Sequence, residues 1–108
     1  MLVDYLKLNT KRETPLVEQL RNDKLPIVMW GAGSMSYNTR KMLKKHNICI
    51  DAFWVDGPHE NSIDGIPVLS YDEVIYKYPI FNVVCGHSRY DLVHNIETRK
   101  EVNKVFCL

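Results

Sequence analysis

The chain has 108 residues, 45% of them hydrophobic and 25% charged, with 14 basic against 13 acidic side chains and a formal net charge of +1. That is the size of one domain with one core, and the composition of ordinary soluble globular material. Near-neutrality excludes the basic footprint of a nucleic-acid-binding domain, and no apolar run approaches the ~20 residues that cross a bilayer, so neither nucleic acid nor membrane is an expected partner.

Residues 1–24 read as an N-terminal arm and helix. Met1 to Lys7 is broken by charge and lacks a small-residue cleavage site, so it does not read as a signal peptide. Thr14-Pro15 supplies an N-cap and first helical position, and Leu16, Val17 and Leu20 follow at helical spacing to an end near Asn22-Asp23. Ile27 to Trp30 is continuously apolar, as a central parallel strand buried on both faces should be. A helix is predicted from Ser34 to about Lys45, with Met35, Thr39, Met42, Leu43 and His46 on one face and the basic run Arg40-Lys41, Lys44-Lys45 on a solvated one.

A second strand is predicted over Ile48 to Val55, stopped by the turn Asp56-Gly57-Pro58. After a polar excursion from His59 to Asp64, Gly65 to Leu69 reads as a short third strand, which Pro67 assigns to an edge. Ser70-Tyr-Asp-Glu73 is a capping box opening a short helix that ends at Tyr78-Pro79. Ile80 to Cys85 is the fourth strand, a helix covers Tyr90 to Lys100 with Leu92, Val93 and Ile96 inward, and Lys104 to Leu108 is the fifth strand. Strands alternating with helices predict, for residues 25–108, a small doubly wound, Rossmann-like parallel sheet of five strands in the order 3-2-1-4-5. Cys49, Cys85 and Cys107, odd in number and each in an apolar strand-like run, read as reduced, buried thiols of a cytoplasmic protein. A last strand with no capping helix after it is what the first domain of a longer protein would show; the other reading is a natural terminus covered by a partner or by the N-terminal helix.

In such a sheet, ligands bind outside the carboxyl ends of the strands, at the switch in strand order. Three loops converge there. In Gly31-Ala32-Gly33-Ser34-Met35-Ser36, the first glycine permits the tight turn and the second lets a phosphate approach backbone N–H groups at a helix start, with Ser34 and Ser36 adding hydroxyls. Ser36 stands where the G-x-G-x-x-G pattern has its third glycine, and it is small enough to keep helix and strand close. Asp56 ends the second strand 23 residues after Gly33, near the ~20 expected of an acid bonding ribose hydroxyls; it would repel a 2′-phosphate. It also reads as a turn aspartate before Gly57. The second loop is thus Asp56-Gly-Pro-His59, and the third is Gly86-His87-Ser88-Arg89-Tyr90. Arg89 reads either as a phosphate partner or as a cap of the following helix, and His87 as an acid–base group or, with no second catalytic residue at a fixed spacing, a turn histidine. No nucleophile elbow, phosphate-loop lysine or zinc ligand set is present in the sequence.

Val28 to Ser34, Ile50 to Asp56, and Gly65 to Ser70 followed by Tyr-Asp-Glu-Val together resemble a small Rossmann-like domain. It stands at the front of FkbM-type and sugar C-methyltransferases, some glycosyltransferases, and the sugar O-acyltransferases that carry a left-handed β-helix. The resemblance covers about residues 25–108. In the acyltransferase relatives it implies a nucleotide-sugar site, with Gly31, Gly33 and Ser34 near phosphates and Asp56 near the uridine. Where those acyltransferases resemble one another in a Gly-His-Gly, this chain has Ser34-Met-Ser36, so their catalytic histidine is absent and the methyltransferase version is the closer one. The expected function is therefore a non-catalytic nucleotide or nucleotide-sugar binding module of a sugar-modifying transferase, a methyltransferase above all, acting beside a following catalytic domain or as a homo-oligomer. The alternatives are a fragment of an NAD-dependent oxidoreductase binding a dinucleotide, and a protein-interaction domain without a ligand.

Overall fold

The computed structural model describes residues 13–85, 96 and 98–107. Helix α1 (Glu13–Asp23) starts one residue ahead of Thr14 and presents Val17 and Leu20 to the core. It stops at Lys24, whose φ of 54° is the left-handed conformation that ends helices. Strand β1 (Ile27–Trp30) leads through the glycines into α2 (Ser34–Lys45). That helix closes with Asn47 at φ 62°, its N–H donating to the Lys44 carbonyl while the Ile48 N–H donates to Leu43. This is the Schellman pairing, and its hydrophobic contact is made by the two residues it joins, Leu43 and Ile48, both buried.

The remaining elements are β2 (Ala52–Trp54), β3 (Ser62–Ile63), β4 (Ile66–Leu69), α3 (Tyr71–Lys77), β5 (Phe81–Cys85) and β6 (Val102–Cys107). They form one mixed α/β sheet in the order β3-β4-β2-β1-β5-β6, parallel except for β3. The sheet has six strands, not five, and its order is not the expected one because β3 is added at an edge. The cause is Asp64-Gly65: at φ 53° and 78° the pair makes a two-residue turn between Ile63 and Ile66, which face each other. A two-residue strand has no alternation to reveal it.

Pro67 is consequently not on an edge strand; β4 lies between β3 and β2. The Val68 N–H donates toward β3, to Asn61 at 3.0 Å, so the donor missing at Pro67 is on the β2 side, one residue before pairing with β2 begins at Phe53 and Val68. The second strand is also shorter than Ile48 to Val55. At its start the Asp51 N–H donates to the Ile27 carbonyl at 2.8 Å and the Asp51 carboxylate accepts from the Ile27 N–H at 2.8 Å. Because β1 begins at Ile27, residues 48–50 have no strand beside them, and although Ile48 and Ile50 are buried, Cys49 between them is exposed. Cys49 is thus no core thiol, whereas Cys85 is buried. The last strand begins at Val102, two residues ahead of Lys104. Most of the predicted Tyr90 to Lys100 helix lies outside the described residues; Ile96 is helical and buried.

Alternate residues of the strands feed two cores, one on each face. Met29, Phe53, Val68, Val84 and Phe106 pack with α1 and with Leu43 of α2. Val28, Trp54, Val83 and Val102 pack with Val74 of α3 and with Ile96. Asn82, fully buried in β5, donates to Asp23 at 3.1 Å and accepts from Asn103 at 2.9 Å, so the one polar interruption of that strand is satisfied. Among the described residues no helix is long and apolar enough to cross a membrane.

Candidate functional site

Parallel pairing sets Trp30 beside Trp54, so the chain leaves β1 and β2 at the same edge of the sheet. The glycine turn is fastened there: the Gly31 N–H donates to the Trp54 carbonyl at 2.8 Å. Gly31 has φ 91°, a conformation that strains any side-chain-bearing residue, so the turn itself requires this glycine.

Gly33 is different. It is the N-cap of α2 at φ −84° and ψ −165°, ordinary extended backbone. A Cβ built on it would meet nothing within 4 Å. Among the described residues, neither conformation nor packing demands a glycine there, and Gly33 is exposed. The α2 start carries no side-chain cap and no acidic residue in its first turn, while Lys44 and Lys45 occupy its last turn. Among the described residues nothing accepts from its leading N–H groups, where the positive end of the helix dipole lies. Ser36 is only 4% exposed, so it fills the place of the third glycine as a packing residue. The backbone of Ser34 and Met35 forms the first turn of α2, and Ala32 is exposed beside them.

Asp56 lies two residues beyond β2 and is exposed. Its Oδ1 accepts from the Trp54 indole N–H at 3.1 Å; Oδ2 has no partner among the described residues. Gly57, at φ 84°, makes the turn that follows, but no hydrogen bond from Asp56 to that turn is formed among the described residues. The acid is therefore aimed by a tryptophan and not spent on turn geometry. Trp54 itself is fixed: its ring is 4.8 Å from that of Tyr71 and 6.1 Å from that of Trp30, and the Arg99 guanidinium lies 5.3 Å from Trp54 and 4.1 Å from Tyr71. The Tyr71 hydroxyl donates to the Glu101 carboxylate. Burial, then this carboxylate acceptor, push the Tyr71 phenol above its ordinary value of 10.0.

Trp54, Tyr71, Arg99 and Glu101 were not among the sequence-derived site residues. Trp54 and Asp56 are two apart and so share one side of an extended segment, a period-2 signal that joins an aromatic donor to an acid. Nothing local in sequence links Tyr71 to Glu101. The structure brings the glycine turn and Asp56 to one edge; Gly86, His87, Ser88 and Arg89 lie outside the described residues. His59, farther along the second loop, is exposed and its Nδ1 hydrogen-bonds the Glu60 carbonyl at 2.7 Å.

Compared with family models, with curated proteins and with solved structures, the chain matches none of them.

Proposed function

We propose that the carboxyl edge of the sheet binds the phosphate and ribose of a nucleotide or nucleotide sugar, and that the chain is a non-catalytic binding module of Rossmann-like type. The observation that carries this reading is Gly33, a glycine that the protein's own conformation and packing do not need, set at an uncapped helix start. A phosphate there accepts from the leading α2 N–H groups without meeting a Cβ, which supplies charge-assisted hydrogen bonds where the helix offers no internal partner. Asp56, held by Trp54 with Oδ2 directed to no described neighbour, accepts from a ribose diol and disfavours a 2′-phosphate. The role read from this pair is binding and orientation. Service to a sugar-modifying transferase, a methyltransferase in particular, rests on the resemblance of the three segments noted above.

Thermal unfolding followed against UDP-glucose, NAD and S-adenosylmethionine tests the reading. A ligand at 100 times its Kd raises the unfolding free energy by ~2.7 kcal/mol. The expected result is stabilisation by UDP-glucose that Asp56→Ala reduces. Stabilisation by NAD alone would replace the nucleotide sugar with a dinucleotide, and no response to any of the three would remove nucleotide binding from this edge.

A further inference from the structure

A groove runs along α2 from Tyr37 to Lys44. Ile48 and Ile50, which precede β2, and Ile66, the first residue of β4, form an apolar floor between that helix and the β3–β4 hairpin. The groove has a volume of about 610 Å3 and its rim carries Arg40, Lys41 and Lys44, with Asp64 on the hairpin side. This lies at the amino ends of β2 and β4, whereas the glycine turn follows the carboxyl end of β1. Small-molecule sites fall at roughly 300–1,000 Å3, with apolar linings and a few placed polar groups.

Arg40 is pre-aimed. Its guanidinium sits 5.4 Å from the Phe53 ring and 5.8 Å from that of Tyr37, its side chain is 15% exposed, and it meets the Asp64 carboxylate at 2.6 Å across the groove. Asp64 is 69% exposed, so solvent screens this pair and a doubly charged anion can compete for the guanidinium. Lys41 and Lys44 are exposed and meet no carboxylate among the described residues. Three cations thus face one acid over an isoleucine floor. Ile48 and Ile50 are core residues whose outer edges, with half-buried Ile66, close the bottom of the groove.

We propose that this groove is a ligand site for a phosphate monoester with an apolar or aromatic body. A phosphate monoester carries close to two negative charges at neutral pH, matching the excess of cations, and its oxygens suit an arginine fork flanked by lysines. The body lies on Ile48, Ile50 and Ile66. The proposal is independent of the glycine turn.

Cys49 lines the groove and is exposed, which makes it a local reporter. Its alkylation by iodoacetamide is followed by peptide mass spectrometry with phenyl phosphate, inorganic phosphate or benzoate present, each protein being compared with its own ligand-free rate. Phenyl phosphate is expected to protect Cys49 at a concentration at least tenfold below that needed for inorganic phosphate or benzoate. Lys41→Gln with Lys44→Gln, both exposed positions, should raise that concentration at least tenfold, and Gly33→Ser should leave it unchanged. Absence of protection, equal potency of the three anions, or indifference to the lysine substitutions would overturn the proposal. Loss of protection in Gly33→Ser would do so too, by returning the anion to the glycine turn.

Discussion

The Glu73 N–H donates to Ser70 Oγ at 3.3 Å and the Ser70 N–H donates to the Glu73 carboxylate at 2.9 Å, so two side chains satisfy the start of α3 reciprocally. The backbone hydrogen bond at Ser70, and then its hydroxyl, hold the Glu73 carboxyl below its ordinary value of 4.5. A carboxyl whose folded-state pKa is depressed contributes stability above its unfolded pKa and loses it as pH falls through the folded one. The part of the acid sensitivity due to Glu73 should therefore appear below about pH 4.5 and vanish in Glu73→Gln, read from urea denaturation at a series of pH values. Ser70→Ala removes the cap and should cost about 1 kcal/mol at neutral pH in the same measurement. At the opposite end of the sheet, the Asp51 carboxylate accepts from the Ile27 N–H, which makes it a clamp between β1 and the start of β2.

Among the elements, the β3–β4 hairpin depends most on one backbone conformation. Gly65 at φ 78° has open space around it, so an added Cβ meets no atom there, yet the left-handed backbone itself disfavours a side chain. Gly65→Ala should destabilise the fold by about 1–2 kcal/mol, measured by urea denaturation. It should also loosen the Arg40–Asp64 contact, because Asp64 is the other residue of the turn. The hairpin shows where reading the sequence falls short. Elements with a strong local signal were legible: the apolar run of β1, the helical spacing of α2, the capping box of α3, and the alternation of strands with helices. The edge strand was hidden because two residues carry no period. The length of β2 was misread because a strand ends where its neighbour ends, and the position of Ile27 relative to Asp51 is a tertiary fact. At the carboxyl edge, Gly31, Gly33 and Asp56 were legible from spacing. The stack of Trp54, Tyr71 and Arg99 that steadies Asp56 was not, since its members come from β2, from α3 and from the approach to β6.

At the scale of the whole molecule, α2 links two ends of the sheet. Its uncapped start faces the carboxyl edge, and Lys44 in its last turn borders the isoleucine groove. The two ends place opposite demands on sequence. An N-cap selected for helix stability alone would be serine, threonine, aspartate or asparagine, whereas a phosphate approaching the backbone favours glycine. Gly33→Ser separates the demands. Its backbone conformation suits a capping serine and the added Cβ meets nothing within 4 Å, so the substitution should stabilise the folded protein by a few tenths of a kcal/mol. Calorimetric titration of the native protein and Gly33→Ser with UDP-glucose, alongside their urea denaturation, is the most direct measurement. The variant is expected to be at least as stable as the native protein and to bind at least tenfold more weakly. A variant equally stable and equally tight in binding would contradict the proposed site, because the open space over Gly33 would then not be where the phosphate lies.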